Sequence, residues 1–237
     1  MENKISFSEY STWKTCPWKR LVLYEGIEIN GVIRRPERQE TFAMSFGTYL
    51  HNYVYEKLFN VSLQKKNEII EQTPEFENVK LQIQNFQKYL KSEGFKVLEY
   101  EHEFVDMLTE KTKISGFIDL IIQKGKTIKL IDFKFASWYY IKEIKSKTVY
   151  HRQLQLYKKF YCSLNNIDIK NVGLEFVIFD KNNKKGKYMI LKVRDTKKVL
   201  ENATKAITDC AMLRSKVVIK NYSNCKFCDL KNTIWCK

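Results

Sequence analysis

The sequence predicts an α/β fold, with a central β-sheet built on one buried hairpin, helices packed against it, and both ends of the chain joined at a four-cysteine metal site. Three observations point there. Residues 116–134, GFIDLIIQKGKTIKLIDFK, read as two apolar strands joined by a tight turn at Lys124-Gly125-Lys126, where glycine supplies the positive φ such turns need. Stretches with helical periodicity stand on both sides of this hairpin. Cys16 lies near one end of the chain, and Cys225, Cys228 and Cys236 lie near the other.

A chain of 237 residues suits one sizeable domain over 1–237, in which residues 1–25 and 215–237 together form the cysteine region. Its formal net charge is +15 and aromatic residues make up 14%. That pairing favours a polyanionic partner, because Lys and Arg neutralise phosphates and aromatic rings stack on bases. No apolar run is long enough to span a bilayer, and MENKISFSEY lacks a charged-then-apolar leader pattern. The expectation is a soluble, cytoplasmic protein with no membrane contact. In that setting clustered cysteines bind metal rather than pair as disulfides.

The hairpin carries the chemistry. Asp132 and Lys134 are two residues apart on a strand and leave the same face, while Ile131 and Phe133 point into a core. A Gly125-Lys126 loop sets Asp119 opposite Asp132; a loop one residue different makes them diagonal neighbours. Facing carboxylates repel, and a divalent ion offsets that cost: Mg²⁺ and Mn²⁺ prefer oxygen ligands. Lys134 then holds an attacking water or a phosphate oxygen, a constellation for metal-assisted phosphodiester hydrolysis. The apolar flanks (Phe117, Ile118, Leu120, Ile121; Leu130, Ile131, Phe133) mark a buried hairpin, where unpaired charge is expensive.

GFIDLI followed by LIDFK resembles the core motif of the PD-(D/E)XK nuclease superfamily, with Asp in the (D/E) position. The surrounding sequence looks like its RecB-like branch, which includes the CRISPR-associated RecB-like exonucleases and the AddB nuclease domain. The resemblance implies a restriction-endonuclease-like core, with a central mixed β-sheet flanked by helices.

From the N-terminus, Ser6 with Glu9 fits a capping box opening a helix that carries Phe7, Tyr10 and Trp13 and breaks at Cys16-Pro17. SFSEYSTWKTCPWKRLVLYE resembles the opening of RecB-like nuclease domains, whose iron–sulfur members use this Cys as first cluster ligand. Residues 26–43 look like a loop (Gly31, Arg34, Arg35, Pro36, Arg38). Helical patterning resumes near Ser45 in SFGTYLHNYVYEKLF, with His51 on the apolar face or its edge. Gly47, Thr48 and His51 are similar to the RecB-like helix motif whose His binds metal. Residues 61–95 are polar and then helical, with Phe76, Val79, Ile83, Phe86 and Leu90 as the apolar stripe of a packing or DNA-flanking lobe.

Lys96 to Leu108 reads as a strand with Glu99, Glu101 and Glu103 on one face. This is either a solvated face or, following a family tendency to carry an acidic residue before the hairpin, a site contribution from Glu101. After the hairpin, Tyr150, Leu154, Tyr157, Phe160 and Tyr161 form a helical stripe, with Gln153 and Tyr157 four apart on one face. This Q-x-x-x-Y resembles the fourth RecB-like motif, which lines the active site and orients the lysine or the DNA strand; His151 and Arg152 add phosphate contacts. Strands follow near Val172–Asp180 and Lys187–Arg194, then a helix from about Thr196 to Ser215. Cys162 and Cys210 read as core or free thiols. In the tail, Cys225-x-x-Cys228 and Cys236 are three thiolates that need a fourth, and Cys16 is the best candidate. All-thiolate coordination suits a 4Fe-4S cluster or a structural Zn²⁺.

The resemblance therefore implies a metal-dependent DNA nuclease, an exonuclease on single-stranded or end-opened DNA in replication, recombination or repair. His51, Asp119, Asp132 and the Phe133 carbonyl would bind Mg²⁺ or Mn²⁺, and Lys134, Gln153, Tyr157 and Glu101 would complete the site. Recombination or replication proteins are its expected partners, and oligomeric state stays open. Two other readings stand beside it. One is a catalytically inactive DNA-binding accessory module with an iron–sulfur cluster; the other is a redox-responsive cluster protein that regulates DNA binding.

Overall fold

The structure is a computed structural model and describes residues 4–37, 41–62, 67–214, 216 and 218–236; Arg38 and Ser215 lie outside the described residues. The chain forms two compact units, one of Met1–Gln39, Val105–Gly116 and Glu201–Lys237, the other of Glu40–Phe104 and Phe117–Leu200.

The first unit opens with β1 (Lys4–Ser6) and α1 (Phe7–Thr15). Ser6 caps α1 as expected, its Oγ accepting from Glu9 N at 3.2 Å. The Glu9 carboxylate does not complete a capping box. It is buried and accepts from Arg20 Nε and Arg214 Nη1, both at 2.7 Å, because two buried guanidiniums outcompete a single backbone N–H. Cys16 is extended, and Pro17 takes the first position of α2 (Pro17–Arg20), so the helix breaks where the sequence puts the break. The segment expected as a loop instead contains a hairpin, β2 (Ile27–Ile29) paired with β3 (Val32–Arg34). Asn30 and Gly31 turn it, both with positive φ (53° and 77°), the signature of a two-residue hairpin turn.

The second unit holds α3 (Phe42–Phe59), α4 (Glu68–Glu71), α5 (Pro74–Ser92) and β4 (Lys96–Thr109), whose last residues belong to the first unit. β5 (Thr112–Lys124), likewise shared, and β6 (Thr127–Ala136) form the hairpin. Then come α6 (Trp138–Ser146), α7 (Thr148–Leu164), β7 (Val172–Asp180), β8 (Met189–Lys192) and α8 (Lys197–Leu213), which ends in the first unit. Thr41 caps α3, which begins at Phe42, three residues before the patterning, and Asn60 ends it in the left-handed conformation.

Strands run in the order β5-β6-β7-β8, antiparallel, parallel and antiparallel in turn, so the sheet is mixed. β4 also pairs with β5, and in the first unit β1 lies parallel to Lys113–Ser115. The turn is Gly125-Lys126, with Gly125 at φ +59°, and this fixes the register from Lys124 opposite Thr127 to Leu120 opposite Ile131.

Sheet periodicity divides the second unit's side chains. Leu120, Ile122, Ile131, Phe133, Val177 and Phe179 share one face and pack against Leu50 and Val54 of α3 and Val79, Ile83 and Phe86 of α5. The Phe86 ring meets Phe133 edge-on at 6.0 Å and Phe179 at 6.1 Å. On the other face Phe176, paired in register with Asp132, meets His151 of α7. The chain thus forms the α/β arrangement the sequence predicts, a central mixed sheet flanked by helices. No helix among the described residues is long and apolar enough to cross a membrane.

Candidate active site

The regular pairing of β5 with β6 stops at Leu120–Ile131, and both acidic residues lie just beyond it. There Asp119 Oδ2 accepts from the Phe133 backbone N–H at 2.7 Å, standing in for a strand carbonyl. Asp132 is 2% exposed; its Oδ2 is ion-paired with the Lys134 ammonium and has no hydrogen-bond partner of acceptable geometry among the described residues. Burial and the Asp132 carboxylate push the Asp119 pKa well above the usual carboxylate range. Burial alone would lower the Lys134 pKa, but Asp132 and Asp119 outweigh it and hold Lys134 above the ordinary lysine value. Lys134 is therefore an ammonium at neutral pH, paired with Asp132.

α3 supplies the imidazole. His51 packs edge-on against Phe135 (5.1 Å) and Phe133 (6.2 Å), and its Nδ1 lies 3.8 Å from Asp119 Oδ2. Burial lowers its pKa to about 4, so at neutral pH the ring is uncharged and keeps a lone pair for a ligand. Tyr100 of β4 donates its hydroxyl hydrogen to the His51 carbonyl and fixes this turn of α3.

Glu101 departs from the strand pattern. It sits in the middle of β4 at φ +48°, a conformation that costs a non-glycine residue on the order of 1–3 kcal/mol. The kink switches faces. Tyr100 packs with the α3–α5 core, whereas His102 and Phe104 reach Tyr161 and Tyr157 of α7. The expected single acidic face of Glu99, Glu101 and Glu103 is thereby broken, and Glu99 pairs with His102 instead. Glu101 lines an open cavity of about 460 Å³ together with Gly47, Thr48, His51 and Asp119. Uninterrupted alternation in the sequence gives no sign of such a bulge, and these are the places where bulges re-aim a side chain.

From α7, Gln153 Nε2 donates to the Tyr157 hydroxyl at 3.0 Å, and the Phe117 backbone of β5 bonds to the same oxygen. Burial raises the Tyr157 pKa beyond the ordinary tyrosine range, and Asp132 and Asp119 add to the shift. His151, expected as a phosphate contact, is bonded through Nε2 to the Ile144 carbonyl at 2.9 Å. The structure therefore brings His51, Glu101, Asp119, Asp132, Lys134, Gln153 and Tyr157 to one end of the sheet.

A profile of the PD-(D/E)XK nuclease superfamily matches residues 4–236. The chain belongs to that superfamily. Among solved structures, this superfamily member is similar to a candidate exonuclease from Eubacterium rectale, at 12% identity over 96% of this chain and 86% of that one, with a TM-score of 0.62. It is also similar to the alkaline exonuclease LHK-Exo from Laribacter hongkongensis (14% identity, 90% and 88% covered, TM-score 0.42) and to SSO0001 (14% identity, 98% and 89%, TM-score 0.46). No curated protein matches.

The donor set fits a divalent ion by chemistry: crowded carboxylates, a neutral imidazole and a buried carboxylate oxygen ion-paired, among the described residues, with one ammonium. Its present spacing is not that of a closed site, since among the described residues no group of three or more His, Cys, Asp or Glu is arranged to hold a metal ion. The same holds for the cysteines of this PD-(D/E)XK chain, although Cys16, Cys225, Cys228 and Cys236 all line one cavity of about 170 Å³ in the first unit. Trp18 also lines that cavity, donating from Nε1 to the Trp235 carbonyl at 2.8 Å, and the Asn221 N–H points at Cys16 Sγ at 3.5 Å. Cys162 and Cys210 are buried apart from it, and burial pushes their thiols up to about 11 and about 12, as core cysteines behave.

Proposed function

We propose that this chain is a metal-dependent deoxyribonuclease of the RecB-like branch, acting as an exonuclease on single-stranded or end-opened DNA. What carries the reading is the ion pair of buried Asp132 with Lys134 beside Asp119, a half-buried carboxylate that lines the open cavity with His51 and Glu101. A binding-only protein gains nothing from crowding carboxylates where DNA must approach.

His51, Asp119, Asp132 and the Phe133 carbonyl would hold Mg²⁺ or Mn²⁺, with Glu101 within electrostatic reach of Asp119. Such an ion supplies Lewis-acid polarisation of the scissile phosphate and eases ionisation of water. Lys134 donates hydrogen bonds to the attacking water and to a non-bridging phosphate oxygen, offsetting charge that grows as the bond forms. As a protonated amine it orients and stabilises; it does not abstract the proton. Tyr157, held by Gln153, would orient the DNA strand and Lys134.

The strained Glu101 gives a separable expectation. Glu101→Gly removes the positive-φ penalty, partly offset by glycine's chain entropy, and should stabilise the fold by roughly 0.5–2 kcal/mol. The same change should weaken Mn²⁺ binding by about 10–100-fold, read by calorimetry on the variant. A variant both less stable and unchanged in Mn²⁺ affinity removes Glu101 from the site.

The cysteine cavity supports a second element of the reading, a 4Fe-4S cluster or Zn²⁺ tying residue 16 to the C-terminal cysteines as a staple. Iron, sulfide and zinc analysis of anaerobically purified protein, wild type against Cys225→Ser, distinguishes these two. End-labelled single strands and duplexes incubated with Mn²⁺ test the substrate: stepwise shortening from one end is expected, and internal fragments alone would contradict exonuclease action.

A further inference from the structure

α6 begins two residues after β6 ends and carries three consecutive exposed aromatic side chains: Trp138 is 56% exposed, Tyr139 67% and Tyr140 56%. The helix is anchored without them, by Ile141 and Ile144, which are buried at 2% and 4%. Its first turn therefore displays large rings that packing does not require, and each such ring left in water forgoes substantial burial. The rings stand close to one another and to a cation. Tyr139 and Tyr140 meet edge to face at 5.5 Å, and Lys142 Nζ lies 5.4 Å from the Trp138 ring centroid. Lys142 and Lys145 are exposed on the same helix.

Chemistry and position select the occupant. Aromatic rings beside ammonium groups, on a chain of net charge +15, complement a polyanion with accessible π-faces. A duplex hides its base faces; a single strand exposes them. Trp138 follows Lys134 by four residues, so at most about 14 Å of chain separates them, a few nucleotide steps. We propose that the first turn of α6 is a stacking platform for unpaired bases of a DNA strand lying in the active site, with Lys142 and Lys145 on its phosphates. The proposal rests on the nuclease reading and gives it a structural source of single-strand preference.

The test is binding of a short fluorescein-labelled oligonucleotide, single-stranded or annealed to its complement, in EDTA so that nothing is cut. Trp138→Ala and Tyr139→Ala should each weaken single-strand binding by about tenfold or more, with little effect on the duplex. Trp138→Phe and Tyr139→Phe, which keep a ring, should bind single strands nearly as the wild type does. Lys142→Gln should lower the log–log salt slope by about 0.7. The proposal is overturned if alanine variants with unchanged thermal melts bind single strands like the wild type, or lose single-strand and duplex affinity equally. It is also overturned if sedimentation shows a wild-type dimer that Trp138→Ala converts to monomer, because the surface then belongs to a second copy. Cutting is assayed separately. A protein that binds single strands through α6 but never cuts keeps this platform and loses the nuclease reading.

Discussion

Replacing Lys134 with alanine should lower Mn²⁺-dependent DNA cleavage by about 10²–10³-fold, the scale of removing one preorganised donor from a developing negative charge. Metal binding should survive the change. Lys134 is the ammonium paired with Asp132, and burial beside that carboxylate raises the Asp119 pKa. Deleting the ammonium leaves the carboxylates more crowded and more negative, so Mn²⁺ should bind at least as tightly as in the wild type. Kinetics and calorimetry on one preparation separate the two effects. A variant that loses Mn²⁺ binding together with activity would mean that Lys134 organises the site rather than serving the reaction.

The largest stability effect is expected far from the chemistry in sequence. Glu9 is 5% exposed and accepts from both Arg20 and Arg214, themselves 2% and 7% exposed. Glu9→Ala leaves two buried guanidiniums short of their shared carboxylate. Arg20 retains Glu25 and Arg214 retains the Lys4 carbonyl, which softens the loss without removing it. Breaking a buried pair from one side costs about 3–5 kcal/mol. For a chain of this size that corresponds to a melting-temperature drop of roughly 6–20 °C. Glu9→Gln keeps an acceptor and should fall between. An alanine variant melting within a degree or two of the wild type would show that water or the remaining partners satisfy both arginines.

How much of this was legible depends on the range over which each cause acts. The Asp119–Asp132 juxtaposition follows from a two-residue turn and the period of a strand, both local, and the register from Lys124–Thr127 to Leu120–Ile131 carries it. The cap at Ser6 is equally local. The role of Glu9 is not, because its partners lie 11 and 205 residues away. A Ser-x-x-Glu pattern looks the same whether the glutamate serves its own helix or a distant arginine. Glu101 is the converse case. Its residue type and position were readable, but its left-handed backbone was not, since a bulge is imposed by neighbours and leaves the alternation intact. The hairpin at Ile27–Arg34 did carry a signal, Asn30-Gly31 between short apolar runs, which the surrounding arginines and Pro36 obscured. The cysteines were the most distant grouping to be read: Cys16 and the three tail cysteines were matched by chemistry and count, and they line one cavity.

Asp119 on β5 and Asp132 on β6 would hold the divalent ion that cuts DNA. Asp132→Asn tests this most directly, because the amide keeps the shape and removes the charge at a residue 2% exposed. End-labelled DNA is incubated with Mn²⁺, with Mg²⁺ or with EDTA, using wild-type and variant protein purified identically. The account predicts metal-dependent cutting by the wild type, none in EDTA, and at least about a 10³-fold loss in the variant, since both an ion ligand and the Lys134 partner are altered. Equal cutting by the two proteins, or cutting that persists in EDTA, would contradict it.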